Sequence, residues 1–194
     1  MSLLSRQIQP AEAYLATLNS HDWNKLGKGK VLLKGGKGQY GVMVATDVDA
    51  VTAWSVLTDY GNFHRFLPTV IESRIVKAEG NRTIVEQLDR RKVLLSTMES
   101  VVRTENLELD NQQISFRLLA GNLKYMYGHW RIDEAPRRLS TKDTLLISQQ
   151  VKAEADVGPF KGMFYNLFET GLIETINAIR GEMERRAQLE QKAG

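Results

Sequence analysis

Along most of the chain the apolar positions keep one of two periods, and the change between them marks the elements. From Lys30 onward the period is two. Val31-Leu32-Leu33 reads as a short strand and Gly35-Gly36-Lys37-Gly38 as a turn. Gln39 to Val48 alternates Tyr40, Val42 and Val44 with polar or small neighbours, as a half-buried strand does. Asp47 or Asp49 then offers a carboxylate as N-cap to a helix through Ala50, Val51, Ala53, Trp54 and Leu57. A second short helical segment, Asn62 to Phe66, is stopped by Pro68.

Beyond Pro68 the same alternation recurs in Val70 to Ala78, Arg82 to Arg90, Val93 to Thr104, Gln113 to Leu119, Leu123 to Asp133 and Thr144 to Ala155. Turn chemistry separates them, namely Glu79-Gly80-Asn81, Leu109-Asp110-Asn111, Ala120-Gly121-Asn122 and Ala135-Pro136-Arg137. Connections this short make neighbouring strands antiparallel. After Gly158-Pro159 the period becomes helical: Phe160, Met163, Phe164, Leu167, Phe168, Leu172, Ile176, Ile179 and Met183 recur at three- and four-residue steps. About 27 residues from Gly162 onward reach roughly 40 Å, longer than a sheet is wide. The predicted fold class is therefore α+β, with a curved antiparallel sheet of six to seven strands wrapped around a long C-terminal helix. A sheet bent in this way leaves a space between its concave face and the helix.

Residues 1–30 stand outside that pattern. Pro10 to Ala16 can start a short helix, and Asn24-Lys25-Leu26-Gly27-Lys28-Gly29 reads as a linker. The domain reading is an N-terminal appendage over 1–30 and a single domain over 31–190.

Composition narrows the chemistry. With 194 residues, 42% hydrophobic and 25% charged, the chain is an ordinary globular protein with enough length for one core. It has no cysteine, which excludes disulfides, thiolate nucleophiles and sulfur-ligated metals. No stretch approaches the roughly eighteen apolar residues of a membrane span, and the first residues lack a secretory layout, so a cytoplasmic protein is expected. The net charge is +3, but residues 1–45 hold Arg6, Lys25, Lys28, Lys30, Lys34 and Lys37 against Glu12 and Asp22. Lys25, Lys28, Lys30, Lys34 and Lys37 could make transient contact with a membrane surface, or serve only as a solvated basic arm. Without interleaved arginines and aromatics they make a poor nucleic-acid surface.

Two motifs carry a family resemblance. Val51 to Pro68, with Trp54-Ser55-Val56-Leu57-Thr58-Asp59-Tyr60 at its centre, resembles the opening of the polyketide cyclase/dehydrase and lipid-transport branch of the START-like (SRPBCC) superfamily. Gly121 to Ile132, containing Lys124, Gly128 and Trp130, resembles a later strand of the same family. The order of elements is likewise that of a helix-grip fold. The resemblance covers roughly residues 38–188 and extends to coenzyme Q-binding proteins. It implies a cavity between sheet and long helix for a sterol, quinone, polyketide or other hydrophobic molecule. The loop from Tyr60 to Pro68, with Phe63 and Phe66, is implied to help form its mouth.

No catalytic set transfers from the family residue by residue. His21, His64 and His129 are the three histidines, and none has metal-ligand spacing with another. Alternation groups His129 with Tyr125, Tyr127 and Arg131, opposite Met126, Trp130 and Ile132. The preferred reading puts the tyrosines and His129 outside and makes Trp130 the cavity residue. Glu86, Gln87, Arg90 and Arg91 could supply a polar anchor in a greasy pocket or lie on an outward strand face; Glu86 and Arg91 are the candidates taken forward. On the helix, Met163, Phe164, Leu167, Phe168 and Leu172 are candidate ligand contacts. Gly162 and Gly171 each cost about 1 kcal/mol of helix propensity relative to alanine. Gly171, on the apolar stripe, is therefore a candidate for close approach.

The function expected is that of a carrier or chaperone for a small hydrophobic molecule, without cofactor or metal. The alternatives are an aromatase/cyclase or dehydratase working in the same cavity, and an interaction module docking to membrane or RNA through the basic segment.

Overall fold

The computed structural model describes residues 15–93, 96–137, 139 and 144–193. The helix expected over Pro10 to Ala16 falls, apart from Leu15 and Ala16, outside the described residues. The described elements are α1 (Ser20–Gly27), β1 (Leu32–Gly36), β2 (Gln39–Thr46), α2 (Ala50–Leu57) and a 3-10 helix (Tyr60–Arg65). There follow β3 (Val70–Glu79), β4 (Arg82–Val93), β5 (Ser96–Leu109), β6 (Gln113–Gly121), β7 (Tyr125–Glu134), β8 (Leu145–Glu154) and α3 (Lys161–Ala193).

The strands form one antiparallel sheet in the order β1-β2-β8-β7-β6-β5-β4-β3. It has eight strands, one or two more than expected, because both short N-terminal segments pair onto the edge beside β8. Strand β5 also continues to Leu109, five residues past the expected end at Thr104. Asp110 and Asn111 take φ of 52° after it, a left-handed conformation their short polar side chains tolerate. Register shifts in β3 and between β5 and β6 bend this side of the sheet.

Helix α2 is capped by Asp49, whose Oδ1 accepts from the Thr52 amide at 2.8 Å, which decides between the two aspartates. Helix α3 is 33 residues long, roughly 50 Å. From Leu172 onward it packs Ile176, Ile179 and Met183 into a core with Val42, Val44 and Ile147, with Leu172 at the border between that core and the turns before it. The sheet contacts that anchor it are with β1 and β2, and α2 covers its other flank. Its N-terminal half passes over the remaining strands without that packing, which opens the cavity.

The expected linker Asn24 to Gly29 is instead helical as far as Gly27, in a helix that begins at Ser20. A reciprocal capping box between Asn19 and Asp22 starts α1. Trp23 and Leu26 then bury against Leu32, Met43 and Leu146 on the opposite face of the sheet. Of the basic segment, Lys34 is bound to Asp22 at 2.7 Å.

Candidate functional site

Between the concave sheet and the N-terminal half of α3 lies a cavity of about 570 Å³, a size that suits a drug-sized molecule. Its apolar wall comes from two periods brought face to face. The helix contributes Phe164, Leu167, Phe168 and Leu172 at three- and four-residue steps, and the sheet contributes Met126 and Val151. Phe168 packs against Tyr40 at 5.9 Å and Phe164 at 5.7 Å between ring centroids. Burial, reinforced by Glu169, pushes the Tyr40 phenol up to about 12. At Gly128 an added Cβ would fall 2.8 Å from the Phe116 ring and 2.0 Å from the Gln150 carbonyl, so the missing side chain lets Phe116 lie on the sheet.

The opposite wall is polar. Strand β4 turns Val85, Gln87, Asp89 and Arg91 into the cavity, while the residues between them face out. Its neighbour β5 contributes Ser100, Thr104 and Asn106. Asp89 Oδ1 accepts from the Thr69 hydroxyl at 2.8 Å. Burial raises the Asp89 carboxyl above its ordinary range, against the opposing effects of that hydrogen bond and of Arg91. The Arg91 guanidinium lies against Gly171 of α3, where an added Cβ would meet its Nη2 at 2.5 Å; Nη1 reaches Glu174 at 3.4 Å. On β8, the buried Gln149 Oε1 has no hydrogen-bond partner among the described residues.

One flank is closed by the 3-10 helix. Tyr60 is buried, accepts from Ser73 Oγ through its carbonyl at 2.5 Å, and stacks edge-on with Phe63 at 5.7 Å. Burial, and after it Glu108, pushes the Tyr60 phenol far above its usual range. Asp59, at the entry to this helix, is held by Arg186 of α3 at 2.6 Å and by Asn62 at 2.7 Å. The exposed members of the lining are Met98, Glu99 and Asn122, so solvent reaches the cavity beside the start of β5 and the turn into β7. That opening is not the Tyr60 to Pro68 loop alone.

Of the residues singled out from the sequence, the cavity brings together Tyr60, Phe63, Arg91, Trp130, Phe164, Leu167, Phe168, Gly171 and Leu172. Four do not line it. Phe66 packs into the core beneath the loop, and Leu67 and Thr69 line the cavity on either side of Pro68. Met163 lies on the exposed side of α3, 43% accessible. Glu86 faces outward and is paired with Arg74 and with Arg103. Glu86 and Arg91 differ in parity on a strand whose pairing with β5 is regular, so they cannot share a face.

Gln87, weighed as an anchor beside Glu86, does line the cavity, and the polar lining residues not foreseen are led by Asp89, Ser100, Thr104, Asn106 and Gln149. Parity with Val85 would have favoured Gln87 over Glu86 and found Asp89. Around Thr104 and Asn106 no run of apolar neighbours marks the inner face. His129 is only 4% exposed, although it sits on the strand face opposite Trp130. Burial, then the charge of Arg131, depresses its imidazole to about 4. Among the described residues no cluster of three or more histidines and carboxylates could hold a metal ion, and no helix is long and apolar enough to cross a membrane.

The fold recurs in solved structures. A START superfamily protein from Mycobacterium smegmatis superposes with a TM-score of 0.62 at 16% identity, covering 76% of this chain and 97% of that one. The Zhui aromatase/cyclase from a Streptomyces species gives 0.60 at 17% identity, covering 76% and 94%. A STAR-related lipid transfer protein from Xanthomonas axonopodis gives 0.58 at 15%, covering 80% and 93%. At these identities the likeness is one of fold. No curated protein matches the chain. The family model for polyketide cyclase / dehydrase and lipid transport matches residues 46–178, from the end of β2 into α3. Those bounds take in both sequence motifs and nearly all of the cavity wall, and on this match the chain belongs to the polyketide cyclase / dehydrase and lipid transport family.

Proposed function

We propose that the protein binds one small, largely apolar molecule in the cavity between sheet and α3, as a carrier or chaperone that does not transform it. The observation that carries this reading is the cavity itself: about 570 Å³ left open where a helix of this length would otherwise pack on the sheet. Burying apolar ligand surface there would contribute about 25 cal/mol per Å². The lipid-transfer protein from Xanthomonas axonopodis lends support by fold.

Native mass spectrometry of freshly purified protein, followed by organic extraction, tests it. A stoichiometric small hydrophobic molecule is expected. Phe168→Asp, which puts a charge on the apolar wall, is expected to empty the cavity while circular dichroism keeps the sheet and helix signals. Uptake undiminished in that variant would count against the site.

Asp89 favours a second reading, an aromatase/cyclase or dehydratase in the same cavity. A carboxyl raised by burial and facing the cavity, with Arg91 two residues along the same face, is the inward acid beside a cation that such chemistry needs. In this reading Asp89 would protonate the hydroxyl as it leaves as water, and the carboxylate so formed would take the α-proton, which restores the acid. Turnover of a β-hydroxy ketone that stops in Asp89→Asn while binding persists would decide for the enzyme.

A further inference from the structure

Because neighbouring strands are antiparallel, the β1–β2, β4–β5 and β6–β7 turns and the passage from β8 into α3 all come to one end of the sheet. Half of the large apolar side chains that stand exposed among the described residues are gathered there: Met98, Val101, Leu119, Phe160 and Met163, between 40% and 63% accessible. Scattered singly, such residues need no explanation, but five at one end form a surface. The segments that carry them lie against one another. A Cβ added at Gly121 would stand 2.6 Å from the Val101 carbonyl, so the turn into β7 touches β5. Phe164, next to Met163, lines the cavity together with Met98 and Leu123.

A basic rim surrounds these side chains. Lys37, Arg90, Lys92, Lys124 and Lys161 are exposed there, against three carboxylates, Glu99, Glu154 and Asp156. Glu154 is shared by two cations, its Oε1 being 3.6 Å from Lys124 Nζ and 3.5 Å from Lys161 Nζ, and Glu99 is held by Arg90 at 2.7 Å. Lys37 and Lys92 have no ion-pair partner among the described residues. Apolar side chains ringed by lysines suit a lipid interface, where the former enter the acyl boundary and the ammonium groups stay with the phosphates. The five stand on separate turns, so a deformable surface can meet all of them where a rigid partner would need a matching hollow for each. Only Phe160 among them is aromatic, which makes a poor stacking platform for nucleic acid. The cavity opens inside this patch, beside Met98, Glu99 and Asn122.

We infer that this end of the molecule docks on the surface of an anionic phospholipid bilayer, with Met98, Val101, Leu119, Phe160 and Met163 entering the interface, the lysines on the headgroup phosphates and the cavity opening turned toward the acyl chains. The inference deepens the carrier reading and rests on it, since an apolar cargo would pass between bilayer and cavity without crossing water. Of the basic segment Lys25 to Lys37, only Lys37 belongs to this surface. Lys34 is bound to Asp22, and Lys28 lies at the opposite end, where Arg180 of α3 donates to the Gly29 carbonyl.

Flotation of the full chain with lipid vesicles tests this. Vesicles of phosphatidylcholine with about one third phosphatidylserine should bind at least roughly tenfold more tightly than phosphatidylcholine alone, and the excess should shrink as salt rises. Phe160→Ser with Met163→Ser is expected to weaken binding to both kinds of vesicle by roughly tenfold or more. Lys124→Glu with Lys161→Glu is expected to weaken binding to the anionic vesicles alone. All four side chains are exposed, so circular dichroism should match the parent. Should either pair fail to fold, Phe160→Ser and Lys92→Glu read the same two losses singly, in smaller measure. Lys25→Glu with Lys28→Glu is expected to bind as the parent does. Binding unchanged in both patch variants, or lost in the Lys25 and Lys28 variant instead, would overturn the docking surface. So would a dimer in analytical ultracentrifugation that Phe160→Ser with Met163→Ser dissolves, without flotation by the parent, which would assign the patch to a second copy. In each of these cases a hydrophobic molecule that co-purifies leaves the carrier reading standing. Its absence removes that reading, and with it the passage of cargo inferred here, even where vesicles bind.

Discussion

The Arg91 guanidinium rests on the bare backbone of Gly171, so close that a Cβ there would stand 2.5 Å from Nη2. The contact joins β4 to α3 across the cavity, and it explains a glycine on the apolar stripe of a long helix. Gly171→Ala should raise helix propensity by about 1 kcal/mol. Because the clash is with the end of a flexible side chain, the fold should absorb it while Arg91 is displaced. We expect a melting temperature at or above that of the parent together with faster ligand exchange in stopped-flow release. A lowered melting temperature with unchanged exchange would mean that Arg91 does not guard the cavity.

Asp89 should make the protein less stable as pH rises. Its folded carboxyl is raised by burial, so above the unfolded value near 3.8 the folded state holds a proton that the unfolded state has lost. Stability is then highest below that value and declines as pH climbs through the raised folded pKa. Asp89→Asn removes the titration. Its melting temperature should match the parent's near pH 4 and exceed it at pH 8, measured by thermal denaturation across that range.

His129 should act in the opposite sense. Its imidazole is lowered from 6.5 to about 4, so between those values the unfolded chain takes up a proton that the folded chain refuses. Stability present above pH 6.5 is lost as pH falls toward 4, by up to roughly 3 kcal/mol. Urea denaturation at pH 7 and pH 4.5 should show this loss, and His129→Gln should flatten it.

Arg186 ties the 3-10 helix to α3. Its Nη2 meets Asp59 at 2.6 Å and its Nε meets the buried Glu182 at 2.7 Å. Hydrogen bonds from Arg185 and then Arg186 hold the Glu182 carboxyl down at about 2. Arg186→Ala should cost about 2 kcal/mol at pH 7, since both carboxylates lose a partner and Glu182 stays buried. The depressed carboxyl contributes stability above pH 4.5 that is lost as pH falls through 2, so the penalty should shrink in acid. Chemical denaturation at pH 7 and pH 2.5 measures it. An equal penalty at both would assign it to lost packing by the arginine stem.

Local pattern made the elements legible: alternation marked the strands, three- and four-residue steps marked α3, and the aspartate pair Asp47 and Asp49 and then Pro68 marked where α2 begins and where the loop after it stops, the structure choosing Asp49. The family, too, was visible in the residues around Trp54 and Trp130. These are local properties, set by what each short stretch must bury. Only the tertiary structure decided which groups meet. Glu86 and Gln87 are neighbours of similar length and composition, yet one pairs with arginines in solvent and the other faces the cavity, because the pleat sends adjacent residues to opposite faces. Which face is inner depends on where a helix some eighty residues later lies down. The same holds for Asn106 and Gln149, whose polarity suggests an outer surface until the bend of the sheet encloses them. A chain's pattern specifies what can be buried, whereas the closing of distant segments over one another determines what is enclosed with it.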